Sequence, residues 1–408
     1  MVKNRPLILF EYRGFPMRVL LAFDKFKDAL SAREACKAAA DELGVLRPDW
    51  EIDTAPLADG GDGFCDTLAG ILDGDFHIAS VTDPRQRVVD ARYGLVSAEK
   101  IPAAARRLLN WSPEVDQIAV IEMAESSGIA LTPIDGRSPW DVTTAGLGEL
   151  VKISQEKGAQ GAIIGLGGSA THDLALGALW KLGYRFFDKD DNQIDGAPIP
   201  NIWPRIAKIS LSSTQLPESF QIRLACDVEN PLLGNRGAAA IFGPQKGLTK
   251  DRFQELESET ERLADLLIQA DGAYPASRDE AGAGAAGGAA FGLKAGLEAQ
   301  IVSGYSLVKA WIGLDEKFSQ ADWVITGEGR FDESSLHGKG PGALALETIA
   351  KNKRLLVLAG SIGSIPDCPI AQASLRQISA PSLPLPEALQ KTEENMRKAL
   401  REHFAQSS

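Results

Sequence analysis

The sequence predicts an α/β protein, and three observations carry that prediction. Short apolar runs ending in Gly or Asp recur from end to end of the chain. Each run is followed by residues with helical periodicity, the alternation expected of strands covered by helices. The length of 408 residues then asks for two or three such domains, at roughly 100–200 residues each. Hydrophobic residues make up 44% of the chain and charged residues 24%, enough apolar material for sizeable cores.

Taken in order, RVLLAF (18–23) reads as a buried strand opened by Met17. Residues 1–16 read as an N-terminal extension, with a short apolar core but no small-residue cleavage site. After the loop DKFKDAL, Ser31 and Glu34 form a capping box that starts a helix ending near Leu43–Gly44. EIDTAPLADGGDG (51–63) is a second strand running into a Gly/Asp loop. IAVIEMAE (118–125), AIIGLGG (162–168) and IRLACDVENP (222–231) repeat the strand-then-polar-loop unit. The Ala/Gly-rich run 281–296 reads as a tightly packed helix or loop. ADWVITGEGR (321–330), a helix begun by Pro341 and RLLVLAG (354–360) form a βαβ crossover. Leu389, Met396, Leu400 and Phe404 recur at helical spacing and are expected to pack a core.

A formal net charge of −12 disfavours nucleic acid and anionic membrane surfaces as partners, since both need basic patches. No apolar run reaches the roughly 18 residues of a membrane span. Cys36, Cys65, Cys226 and Cys368 form no CxxC pair and read as reduced thiols of a cytoplasmic protein. His77, His172, His337 and His403 lack metal-ligand spacing, which argues against zinc chemistry.

Ligands of open α/β sheets sit beyond the carboxyl ends of strands, so the strand-terminal loops are the places to search. AIIGLGGSATHD (162–173) can be read three ways. Gly165, Gly167, Gly168 and Ser169 could offer backbone amides to a phosphate, with Thr171 capping a helix whose dipole also favours an anion. G-L-G-G-S-A also fits a dinucleotide fingerprint, with Asp188 after YRFF as the ribose-binding acid. The third reading is a tight strand–helix turn. PLADGGDG (56–63) places Asp59 and Asp62 in a glycine frame, a composition suited to Mg²⁺, to substrate hydroxyls or to an ordinary turn.

ITGEGRFDESSLHGKGP (325–341) gathers Glu328, Arg330 and Lys339 among glycines directly after a strand, which suits an anionic ligand with a metal. Asp24, Lys25 and Lys27 stand at the end of the first strand as an anion grip. The segment 225–247 adds Asp227 and Lys246. No Walker A sequence and no protein-kinase motif set is present. A phosphoryl transferase needs a phosphate cradle, Mg²⁺-holding carboxylates, cations and an acceptor for the attacking hydroxyl's proton, and these loops offer all four.

Together FDKFKDALSA, PLADGGDG, IEMAESSGIAL, IIGLGGSATHD, ACDVENPLLGNRGAAAIFGPQKG and ADWVITGEGRFDESSLHGKGPGALA resemble the two-domain glycerate kinase family, collinearly from about Met17 to the C-terminus. The resemblance implies ATP- and Mg²⁺-dependent phosphorylation of D-glycerate in the cytoplasm, most naturally at the 2-hydroxyl. Phosphorylation at the 3-hydroxyl, another sugar acid, or NAD(P)-dependent oxidoreduction are the alternatives. It also implies a Rossmann- or flavodoxin-like domain of residues 17–75 plus 295–408, interrupted by an inserted α/β domain of residues 76–294 with a mixed sheet. On this reading Asp173, Asp227 and Glu328 ligate Mg²⁺ or accept the hydroxyl proton, the metal falling to Asp227 and Glu328. Lys25, Lys27, Arg330 and Lys339 neutralise the acid or the phosphoryl group. The partners are the small molecules ATP and D-glycerate, with a homodimer left open.

Overall fold

RVLLAF has no polar side chain after Arg18, and Val19 to Phe23 are wholly buried. A strand apolar on both faces belongs in the middle of a parallel sheet covered on both sides. That is where the computed structural model places it. The structure describes residues 16–58, 60–212, 215–337, 340–365, 369–372 and 374–405. The expected N-terminal extension therefore lies, but for Pro16, outside the described residues.

The strands are β1 (Arg18–Phe23), β2 (Glu51–Thr54), β3 (Asp75–Thr82), β4 (Val88–Ser97), β5 (Gln117–Glu122), β6 (Gly161–Gly165), β7 (Tyr184–Phe187), β8 (Lys208–Leu211), β9 (Gln221–Ala225), β10 (Gln300–Val302), β11 (Trp323–Phe331), β12 (Arg354–Ile362) and β13 (Ser374–Gln377). The chain divides into two compact units, residues 1–56 with 315–408, and residues 57–314. The sequence reading drew these borders at 75/76 and 294/295.

The first unit is built on a five-stranded sheet of order β13-β12-β11-β1-β2. All its strand pairs are parallel. Counted in chain order within the unit this is 2-1-3-4-5, the flavodoxin-like winding, and its direction reverses between β1 and β11. Ser31 starts the helix Ala32–Leu46 through the expected capping box: its hydroxyl accepts from the Glu34 amide while Glu34 reaches back to the Ser31 amide. The helix runs past Gly44 to Leu46. Its buried face joins Met396, Leu400 and Phe404 of the helix Thr392–Ala405 over one side of the sheet. Ala345 of the helix Pro341–Ala350 joins Phe331, Val357 and Ala359 over the other.

The second unit has a six-stranded mixed sheet of order β10-β9-β6-β5-β4-β3 and a two-stranded β7-β8 ribbon. β5, β6, β9 and β10 run parallel, whereas β3 and β4 are antiparallel additions at one edge. Leu147 and Leu150 of the helix Ala145–Glu156 and Ala289 and Leu293 of the helix Ala285–Leu297 cover one face. The Ala/Gly-rich segment is thus helical, but it begins with Ala286, Gly287 and Gly288 in the left-handed region. A separate core gathers the ribbon, Trp203, Phe291 and the helix Phe253–Ile268.

Candidate functional site

β1 stops at Phe23, but β11 continues past it to Phe331 beside β12. The extra length of β11 and the loop after β1 therefore meet beyond the carboxyl ends of the sheet. Gly329 makes this meeting possible. Its amide donates to the Lys25 carbonyl at 3.3 Å, and a side chain there would press within 3.2 Å of the Lys27 amide. A side chain at Gly360 would come within 2.5 Å of the Gly329 carbonyl. The Asp24 amide donates to Gly327 O at 2.9 Å, and the Asp24 carboxylate accepts from the Lys25 amide at 2.7 Å.

These loops form one wall of a cavity of about 570 Å³. Asp24, Lys25, Lys27, Glu328 and Arg330 all line it. These five residues, each singled out in its own loop by the sequence, line one cavity at the point where the winding of the sheet reverses. Lys27 and Arg330 are exposed, Asp24, Lys25 and Glu328 half-buried. Arg330 holds Asp332 at 2.9 Å.

The glycine loop after β6 lies in the second unit, and there the structure changes the reading. A side chain on Gly165 would come within 2.5 Å of Gly60 O, and one on Gly167 within 2.3 Å of Gly61 Cα. The neighbour that excludes side chains is the chain's own ADGGDG loop. The amides of Leu166 and Gly167 donate to Ala225 O at 3.2 Å and Gly60 O at 3.1 Å, so these two are committed within the fold. Gly168 takes a left-handed φ of 71°. Thr171 is wholly buried and does not cap a helix. The next helix is the short Leu176–Lys181, reached only after Leu174 and Ala175 turn the chain through left-handed φ values of 54° and 53°. The helix-dipole part of the phosphate-loop expectation is corrected by that intervening turn.

Beneath this loop lies Lys246, 3% exposed, whose ammonium donates to Ser169 Oγ at 2.8 Å and Thr171 O at 2.7 Å. Burial pulls its pKa down to about 7. Burial and the charge of Lys246 push His172 down to about 3, so this imidazole is neutral; its Nε2 lies 3.0 Å from Thr260 Oγ1.

The predicted acids turn out to hold backbone. Asp173 is fully buried; its Oδ2 accepts from the Thr144 amide at 2.7 Å, the Thr144 hydroxyl at 2.8 Å and the Gly177 amide at 3.3 Å. Burial raises its pKa, and the hydrogen bonds from Thr144 and Gly177 oppose that rise. Asp227 accepts from Ser303 Oγ at 2.8 Å and from the Tyr305 amide at 2.7 Å, at the start of the helix Gly304–Trp311. Asp62 is exposed. Asp59 and Lys339 lie outside the described residues. Asp188, the acid of the dinucleotide reading, sits in a local turn directly after β7, where the amides of Asn192 and Asp190 lower its pKa. That placement removes the ribose-binding role from the fingerprint.

Sequence reasoning passed over Glu122, at the carboxyl end of β5. It is 6% exposed, and its two oxygens accept from the Gly63 amide at 3.1 Å and the Cys65 amide at 2.7 Å, at the start of the helix Phe64–Ile71. Burial raises its pKa to about 7 against the pull of those two amides. No local signal marks it, because the helix it caps is 57–59 positions away in the chain.

Among the described residues no group of three or more His, Cys, Asp or Glu is placed to enclose a metal ion. None of the described helices is long and apolar enough to cross a membrane. The NAD(P) reading thus loses its acid, while the cavity of the first unit keeps the mixed charge expected of a phosphoryl-transfer site.

Comparison with known proteins agrees. The chain is 34% identical to a glycerate kinase of Bacillus subtilis (strain 168) over 389 residues, covering 95% of this chain and 96% of that protein. It is 36% identical to a glycerate 2-kinase of Escherichia coli (strain K12) over 347 residues, covering 85% and 86%. A crystal structure from Salmonella typhimurium LT2, of a protein assigned as glycerate kinase 2, superposes with a TM-score of 0.75 at 32% identity, covering 96% of this chain and 98% of that one. Residues 19–407 match the glycerate kinase family as a whole, and the chain belongs to that family.

Proposed function

We propose that the protein transfers the γ-phosphoryl group of ATP to D-glycerate, giving 2-phospho-D-glycerate and ADP. Family membership supports the reaction class, and the name of the Escherichia coli relative, a glycerate 2-kinase, supports the 2-hydroxyl. The observation that carries the reading is the gathering of Asp24, Lys25, Lys27, Glu328 and Arg330 on one cavity at the switch point of a parallel sheet. Phosphoryl transfer asks for little beyond positioning and charge stabilisation, and this set supplies both signs. Lys25, Lys27 and Arg330 would offset the charge of a phosphoryl group or a carboxylate.

Mg²⁺ is commonly held by one or two carboxylates together with substrate phosphates and water, so a three-acid cage is not required. Asp24 and Glu328 fit that need, with Glu328 also the candidate acceptor for the hydroxyl proton. When bound, the ion would offset charge on the phosphates. Asp173 and Asp227, whose oxygens hold helix starts, act on this reading as positioning residues. In the second unit the amides of Gly168 and Ser169 remain candidates for an anion, on a loop held from below by Lys246.

Phosphorus NMR of the product formed from ATP, Mg²⁺ and D-glycerate tests the proposal. A doublet from phosphate on the secondary carbon is expected. A triplet from the primary carbon would move the reaction to the 3-hydroxyl, and no phosphoglycerate at all would overturn the activity.

A further inference from the structure

The cavity of the first unit has a second wall that the charged residues leave unexplained. It is made by the chain after β13: Pro381, Leu383, Leu385, Ala388 and Leu389 line the same space as Lys25, Lys27 and Arg330. Leu385 is 70% exposed, an unusual setting for a leucine on a cavity wall. The segment is PSLPLPEALQ, so Pro381, Pro384 and Pro386 restrict its backbone. Pro384 takes φ −57° and ψ 141°, and the Leu383 amide closes a turn on Ala380 O at 3.0 Å. An apolar wall held this way is ordered before anything binds, which removes an ordering cost from recognition.

We propose that this cavity is the nucleotide site, with the purine base on the Pro381–Leu389 wall and the phosphates toward Lys25, Lys27 and Arg330. Three observations favour a nucleotide over the acid substrate. A three-carbon acid has only a C–H and a CH₂ group to place on a leucine wall, whereas a base has two broad apolar faces. A volume of about 570 Å³ is that of a site for a drug-sized ligand, far more than glycerate needs. The cavity also stands beyond the carboxyl ends of strands wound 2-1-3-4-5, at the reversal where such sheets bind nucleotide-like cofactors. The identity of the nucleotide rests on the kinase reading; its place rests on the cavity's lining, its volume and its position at the switch point.

The test uses the full-length protein with 8-azido-ATP, which labels whatever lies against the base, followed by peptide mapping. Saturable labelling within residues 377–392, competed by ATP, is the expected result. Labelling confined to residues 162–172, or none that ATP competes, overturns the assignment. In parallel, Leu385→Glu places a charge on an exposed position that folding does not need. It should weaken binding of a fluorescent N-methylanthraniloyl-ATP about tenfold, the loss of one leucine's worth of apolar contact, and leave the KM for D-glycerate unchanged. A raised KM for glycerate with unchanged nucleotide binding would assign the cavity to the acid, and no change in either would leave the wall without this function. A protein that labels in 377–392 but phosphorylates no glycerate would keep its nucleotide site and lose only the activity proposed above.

Discussion

Gly167→Ala is the sharpest probe of how the second unit is built. The added Cβ would stand 2.3 Å from Gly61 Cα, 3.1 Å from the Gly61 amide and 3.3 Å from Gly60 O. Carbon atoms in contact rest about 3.5–4.0 Å apart, so one of the two backbones must move by roughly 1.2 Å or more. No flexible side chain can yield in its place. The movement also strains the hydrogen bond from the Gly167 amide to Gly60 O, 3.1 Å in the parent. Overpacking costs about 1–3 kcal/mol and a weakened hydrogen bond about 0.5–1.5, so a loss of about 2–4 kcal/mol is expected. Equilibrium urea unfolding, followed by both fluorescence and circular dichroism to detect separate transitions of the two units, measures it. Gly44→Ala is the matched control. Nothing lies within 4 Å of its added Cβ, and it sits inside the helix Ala32–Leu46, so it should stabilise by about 0.5–1 kcal/mol. A Gly167→Ala protein as stable as its parent would refute the claim that the two glycine loops are packed backbone against backbone.

Four further outcomes follow from named groups. The folded pKa of Glu122, about 7, lies above the ordinary 4.5, so the folded state holds the proton more tightly; stability present at low pH is lost as pH rises from 4.5 through 7, by up to about 3 kcal/mol. Glu122→Gln should flatten that fall in unfolding measurements between pH 5 and 8. Lys246 titrates near 7 when folded against an ordinary 10.5, so the parent should gain stability as pH rises above 7, and Lys246→Met should lose that gain. Glu328→Gln should lower kcat about 100-fold or more in a coupled ADP assay, whereas Asp227→Asn should lower stability by about 1 kcal/mol and keep kcat within about tenfold. Ser31→Ala removes a capping box that is fully formed and should lower stability by about 1 kcal/mol in thermal unfolding.

What could be read directly from the sequence was local. β1 falls on RVLLAF as expected, Ser31 and Glu34 open their helix, and the parallel β11–β12 crossover with Pro341 at its helix start is present. In each case the determining contacts lie within a few residues or follow from an unbroken apolar run. The grouping of Asp24, Lys25 and Lys27 with Glu328 and Arg330 was also reachable, because strand-terminal loops converge whenever their strands are neighbours. The roles of the acids were not. Whether a carboxylate aims at a ligand or at an orphaned helix amide depends on which helix start the fold delivers to it. Glu122 meets Gly63 and Cys65 from almost sixty positions away, and Asp173 meets Thr144 across a strand and a helix. Nothing in the residue type separates the two uses, since both reward a negative charge facing N–H groups.

The glycines carry the same lesson further. The loop 165–175 is gripped from two sides: Gly60 and Gly61 lie against Gly165 and Gly167, and Gly287 and Gly292 leave room for Thr171 O and Leu174 O, which side chains would meet at 2.2 and 1.7 Å. Between these grips stand Leu174 and Ala175 in left-handed conformations that cost roughly 1–2 kcal/mol each. Such strain persists only where packing on all sides over-determines the backbone. The absence of side chains here thus serves first to let main chain touch main chain. A loop held that stiffly, with Lys246 bonded to Ser169 Oγ and Thr171 O beneath it, cannot relax away when charge arrives. Preorganised groups of this kind stabilise charge without reorganising at the moment of reaction. The same packing that withdraws the amides of Leu166 and Gly167 from any ligand is therefore what would fit Gly168 and Ser169 to hold one.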